Sequence, residues 1–133
     1  MDTNLSRGFA LAVLIVLGGC SGPLLWLPGG ALSGPEAPLS AAPVPAEGGV
    51  LVLETRPENP YSVNIGYTVI DGQIYVDPAA ERQWYQYMAA NPEVRIRLEG
   101  SQSVYPALAV AVEDPQLLAR FEPDRMVLRF EAR

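Results

Sequence analysis

Apolar residues fall on every second position in several short stretches after residue 50, and this spacing constrains the fold more than any other feature of the chain. From Ser62 to Ile70, Val63, Ile65, Tyr67 and Val69 share one face, and Ser62, Asn64, Gly66 and Thr68 the other. That is the pattern of a half-buried strand. Asp71-Gly72 follows, a pair suited to the left-handed positions of a tight hairpin, and Gln73 to Val76 returns. Glu93 to Glu99 alternates again, with Val94, Ile96 and Leu98 inward and Arg95 and Arg97 outward. With Glu93 and Glu99 on their own face, the two arginines predict a solvated charge ladder or a dimer contact. Val50 to Leu53 begins a first strand ending near Arg56-Pro57, and Ser103 to Glu113 gives a longer one. Met126, Leu128 and Phe130 mark a closing strand. Pro106 predicts an edge position or a bulge within the longer strand.

A helical stretch interrupts this pattern. Asp77-Pro78 reads as an N-cap followed by proline at the first helical position. Ala80, Trp84, Tyr87 and Met88 supply an apolar stripe, and Asn91-Pro92 stops the helix near Ala90. Asp114-Pro115 repeats the cap signal for a short helix from Gln116 to Phe121, which makes Glu113-Asp114 a better cap than an acid–base pair. Six strands with one main helix inserted after the third predict a mainly β fold, a small closed or partly open β-barrel.

Composition removes whole classes of chemistry. The chain has 133 residues, no histidine, one cysteine, and nine basic residues that are all arginine. Ser–His and Cys–His nucleophile pairs, lysine Schiff bases, the P-loop lysine, Cys/His zinc sites and an internal disulfide are therefore excluded, and no metal site is expected. The net charge of −6 argues against a nucleic-acid partner, which would call for a basic face.

The amino-terminal part carries an address. Phe9 to Leu17 is an unbroken apolar run, too short for a bilayer core of about 30 Å but suited to a signal peptide. It leads into Leu17-Gly18-Gly19-Cys20, which resembles the lipobox of bacterial lipoproteins. The resemblance implies a signal peptide over residues 1–19, lipid (palmitate included) on Cys20, and a membrane anchor on the periplasmic side of the cell envelope. Ser21 is not the aspartate that retains lipoproteins in the inner membrane of enteric bacteria, which leaves the outer membrane open. An uncleaved membrane helix is the alternative, and Gly18, Gly19, Gly22 and Pro23 weaken it.

Residues 20–49 read as a lipidated Pro/Gly/Ala-rich tether, with Glu36 and Glu47 as its only charges. Within it, Leu24 to Leu27 can lie in the membrane interface with Trp26 at headgroup level. Residues 50–133 then form the domain, about 84 residues (133 − 49). A core of that size gains from pairing with a second copy, so a homodimer is expected.

One stretch goes beyond pattern. Trp84-Tyr85-Gln86-Tyr87-Met88-Ala89-Ala90-Asn91-Pro92-Glu93-Val94-Arg95-Ile96 resembles the signature of the split β-barrel flavoproteins. In the deazaflavin-dependent nitroreductase family a Trp-Tyr helix runs into Ala-Asn-Pro-x-Val and a strand. Pyridoxamine-phosphate-oxidase-like proteins carry a looser version. The hairpin from Ile65 to Val76 sits at the family's spacing before that helix. The resemblance implies a homodimer holding FMN or a deazaflavin in a groove between barrels, its phosphates gripped near the first hairpin and just before the helix. Trp84 and Tyr85 would stack on the ring, although both also suit a core.

The phosphate-binding segments differ here. Thr55 to Tyr61 stands in place of a Gly- and Lys/Arg-rich loop, and Asp77 to Arg82 in place of a Gly-rich basic one. Arg56 and Arg82 remain as anion partners beside carboxylates that repel phosphate. The reading that follows is a lipid-anchored binding or structural module without catalysis. A flavin- or deazaflavin-dependent oxidoreductase is the first alternative, because the cofactor carries the hydride and needs neither histidine nor lysine. An envelope assembly subunit using an exposed sheet edge is the second.

Overall fold

The computed structural model describes residues 22–25 and 27–133. Cys20, the lipobox and the signal peptide lie outside the described residues, as does Trp26.

Six strands close into an antiparallel barrel in the order β1-β2-β3-β6-β5-β4. They are β1 Gly49–Thr55, β2 Tyr61–Ile70, β3 Gln73–Val76, β4 Glu93–Leu98, β5 Tyr105–Ala111 and β6 Leu128–Ala132. Helix α1 (Gln83–Ala90) is inserted between β3 and β4, and the short α2 (Pro115–Leu118) between β5 and β6. The architecture is mainly β with one inserted main helix, as the alternation predicts.

The hairpin signal acts as the sequence implies. Asp71 and Gly72 both take positive φ, 50° and 75°, which matches the twist of β2 and β3. The inward residues of the strands, Leu51, Leu53, Ile65, Val76, Val94, Ile96 and Phe130 among them, fill the interior with Met88 from α1. A second, smaller cluster on the other side of the sheet joins Ile70, Tyr75 and Val127.

The helix starts later than Asp77-Pro78 predicts. Its N-cap is Arg82, with no side-chain cap. The reason is a competing partner for the backbone. Ala79 bridges Arg125, the Pro78 carbonyl accepts from Met126 N–H at 2.9 Å, and Arg125 Nη1 donates to the Asp77 carbonyl at 3.2 Å. These contacts hold residues 77–79 extended. Met88 is buried, but Ala80 precedes the helix and is exposed. Tyr87 leaves the stripe to stack edge-on against Tyr61, centroids 5.2 Å apart. At the other helix the cap is as expected, Asp114 accepting from Gln116 N–H at 2.9 Å.

Pro106 lies within a closed barrel, not at an outer edge. Ala109 N–H reaches the β4 side, to Pro92 O at 2.9 Å, so the nitrogen of residue 106 faces β6. Pairing with β6 begins only at Ala107, and the missing donor breaks no ladder.

Arg95 and Arg97 find partners other than Glu93 and Glu99. Glu54 on β1 stands opposite Arg95, and the guanidinium grips its carboxylate with Nε at 2.8 Å and Nη2 at 2.7 Å. These bonds raise the Arg95 pKa above its already high ordinary value, against the opposing effect of desolvation. Glu36 adds a contact at 3.2 Å.

The same group ties down the Pro/Gly-rich segment. Leu32 N–H donates to Glu54 Oε2 at 2.6 Å, and Arg95 Nη2 donates to the Leu32 carbonyl at 3.0 Å. Arg97 donates to the Ser33 carbonyl. Gly29 exchanges two backbone bonds with Ser62, 2.8 and 2.9 Å, and Ala37 N–H reaches Val104 O at 3.0 Å. Leu39, Ala42 and Val44 pack on the barrel core. At Gly34, φ is +135° and a Cβ would sit 2.7 Å from the Gln102 carbonyl, so the close approach depends on glycine. Residues 29–44, where composition predicts a solvated tether, therefore form a strap along the barrel. A Pro-rich chain with few internal hydrogen bonds is well suited to being paired by another element's backbone.

Leu32 is only 4% exposed. Leu32→Ala is expected to lower unfolding free energy by about 2–3 kcal/mol in urea titration; a free tether would show no change. Glu54→Ala, which strands Arg95 on the barrel wall, is expected to cost about 3 kcal/mol in the same measurement.

Candidate functional site

Two clefts of about 700 and 720 Å³ share Asn64, Arg82, Trp84 and Arg125 as lining. Together they form a groove where β2 meets the segment leading into α1. Late helix initiation creates it. Because residues 77–79 stay extended against 125–126, Arg82 and Trp84 arrive at the start of α1 beside Arg125, a residue 43 positions (125 − 82) further along the chain. Gly48 and Gly49 form part of the floor. At Gly48, φ is +85° and a Cβ would lie 2.3 Å from the Tyr67 carbonyl, so only glycine permits this close approach.

The charges in the groove oppose each other. Glu47 and Asp77 line one cleft, and Glu81 and Asp124 the other. Arg125 is already engaged, by the Asp77 carbonyl at 3.2 Å and by Glu122 at 3.7 Å. Arg82 is exposed and makes no side-chain hydrogen bond or ion pair among the described residues. Tyr67 is pushed above the ordinary phenol range, first by burial and then by the Glu99 carboxylate. Its hydroxyl therefore stays protonated.

Of the residues singled out from sequence, Arg82 and half-buried Trp84 meet in this groove. Arg56 stands elsewhere, at positive φ after β1. Its guanidinium lies 4.2 Å from the Tyr87 ring centroid, and Nε donates to the Asn59 carbonyl at 2.7 Å. Tyr85 packs against the barrel core, outside the groove lining. Arg125, Asn64 and Glu47 belong to the groove and were not singled out. No local signal marks Arg125, whose place follows from a long-range bridge.

A flavin phosphate does not fit these residues. A dianion needs several donors free of competing carboxylates, whereas each cleft is lined by two acidic residues alongside Arg82 and the already engaged Arg125.

No protein-family model and no curated protein matches the chain. Solved structures do. A Listeria innocua protein provisionally named a pyridoxamine 5'-phosphate oxidase superposes with a TM-score of 0.54 at 17% identity. The match covers 62% of this chain and 82% of that one. A conserved hypothetical protein from Mycobacterium tuberculosis gives 0.53 at 23% identity, over 64% and 73%. These likenesses define the architecture: the chain has the split β-barrel fold of the pyridoxamine-phosphate-oxidase-like proteins.

Neutralising three of the four acidic residues should weaken their repulsion of phosphate. The triple variant Asp77→Asn, Glu81→Gln, Asp124→Asn is expected to bind FMN at least about tenfold more tightly than the unaltered protein by calorimetry.

Proposed function

We propose that this protein is a lipid-anchored extracytoplasmic split-barrel module, attached through Cys20 and working as a homodimer, that binds a ligand or partner without turning it over. The observation that carries the non-catalytic part is the acidic lining of the two clefts, Glu47 and Asp77 in one and Glu81 and Asp124 in the other, beside Arg82 and Arg125. Such a groove suits a neutral or cationic group that can hydrogen-bond to carboxylates and lie on the Trp84 ring, and it disfavours phosphate. The anchoring part rests on the sequence Leu17-Gly18-Gly19-Cys20 after an apolar run.

The competing reading, a flavin- or deazaflavin-dependent oxidoreductase, draws on Arg82 and Trp84 meeting in one groove of sufficient size. Assembly through a free sheet edge finds no support, because the described strands close on one another and a closed barrel has no edge to offer.

The purified full-length protein is expected to be colourless and to leave the fluorescence of added FMN unchanged. A yellow protein, or saturable flavin binding lost in Arg82→Ala, would establish the oxidoreductase reading instead. Replacing Cys20 with serine is expected to release the protein from the membrane fraction. Persistent membrane association of that variant would favour an uncleaved anchor.

A further inference from the structure

Just before the strap, the chain folds into a minimal hairpin. Leu24 N–H donates to the Leu27 carbonyl at 3.1 Å and Leu27 N–H to the Leu24 carbonyl at 2.8 Å. Leu25 takes a φ of 54°, a conformation that disfavours a leucine side chain. Asn64 on β2 helps hold it, Nδ2 donating to the Leu25 carbonyl at 2.7 Å. The result is an apolar tip fixed to the barrel. Leu24, Leu25 and Leu27 are 65%, 66% and 56% exposed, and they are the most exposed large hydrophobic residues described.

The uncharged stretch around this tip and its distance from Cys20 point to a bilayer as what covers it. No charged residue occurs between Arg7 and Glu36 in a chain whose net charge is −6. The segment itself therefore brings no like charge to an anionic bilayer surface. Leu24 follows Cys20 by four residues (24 − 20), so even a fully extended chain places it within about 14 Å of the lipidated sulfur's residue.

We propose that Leu24, Leu25 and Leu27 form an apolar knuckle that inserts into the membrane interface beside the lipid and seats the barrel directly on the bilayer surface. This rests on the lipid-anchor reading given above. Because Gly29 is paired with Ser62 immediately after the knuckle, inserting the leucines and seating the barrel are one event.

Spin labelling tests this. The chain has a single cysteine, so once Cys20 is acylated an introduced thiol takes a nitroxide alone. Leu25→Cys, Leu24→Cys and Leu118→Cys would be made in the full-length protein, purified from membranes and reconstituted in phosphatidylethanolamine–phosphatidylglycerol vesicles. Mass spectrometry of the mature amino-terminal peptide reports acylation. Power saturation is expected to show labels at 24 and 25 colliding more with oxygen than with an aqueous nickel chelate, and the label at 118 the reverse. Acylated protein whose labels at 24 and 25 are as open to nickel as that at 118 overturns the knuckle and leaves the anchor standing. Absence of acyl chains on Cys20 overturns the anchor, and the knuckle with it.

Discussion

A carboxylate on the outer wall of the barrel is only 4% exposed. Glu54 would be costly to bury alone, since an unpaired ion in a protein interior loses several kcal/mol of hydration. Three hydrogen bonds converge to offset that cost: two from the guanidinium of Arg95 across the strand pair, and one from the N–H of Leu32 in the strap. The arrangement works in both directions. Without the strap, Glu54 and Arg95 would face water and the pair would contribute little. Without Glu54, the strap would lose its central acceptor. The strap in turn holds in place the turn that precedes it, where Pro28 borders the groove. Barrel and strap thus share one ionic junction.

How much of this could be read from the sequence follows from the range of each interaction. The hairpin at Asp71-Gly72, the inward face of Glu93–Leu98 and the cap at Asp114 depend on neighbours a few residues away, and all are legible. The start of α1 is not. Asp77-Pro78 carries a sound local helix signal, but Arg125 and Met126 take up the backbone of residues 77–79, and nothing near Asp77 announces them. The partner of Arg95 shows the same limit, for Glu93 and Glu99 are adjacent in sequence while Glu54 is 41 residues away. The strap was hidden differently. Proline and glycine remove local periodicity, and a segment without periodicity reads as a linker whether or not another element supplies its hydrogen bonds.

The groove was half visible. Arg82 and Trp84 stand out because they adjoin a recognisable helix, whereas Arg125 enters from a segment with no distinctive pattern. The sequence marks Arg56 as an anion partner, yet its positive φ and the Tyr87 ring direct it to a stacking role. Split-barrel architecture and a polar groove are thus separable properties: the first is set by strand register, the second by a few side chains on its rim. A shared fold carries no obligation to share a ligand.

The strap also changes how the polypeptide presents itself to proteases. Proline- and glycine-rich stretches are ordinarily the places where a folded protein is nicked, because a protease must draw several residues into extended, unpaired form. Here Gly29, Leu32, Pro35 and Ala37 are bonded to Ser62, Glu54 and Val104, and drawing the chain between them into a protease requires those bonds to open first. A segment composed like a leash is in effect a seventh, irregular stave of the barrel, and a cut within it waits on that stave lifting.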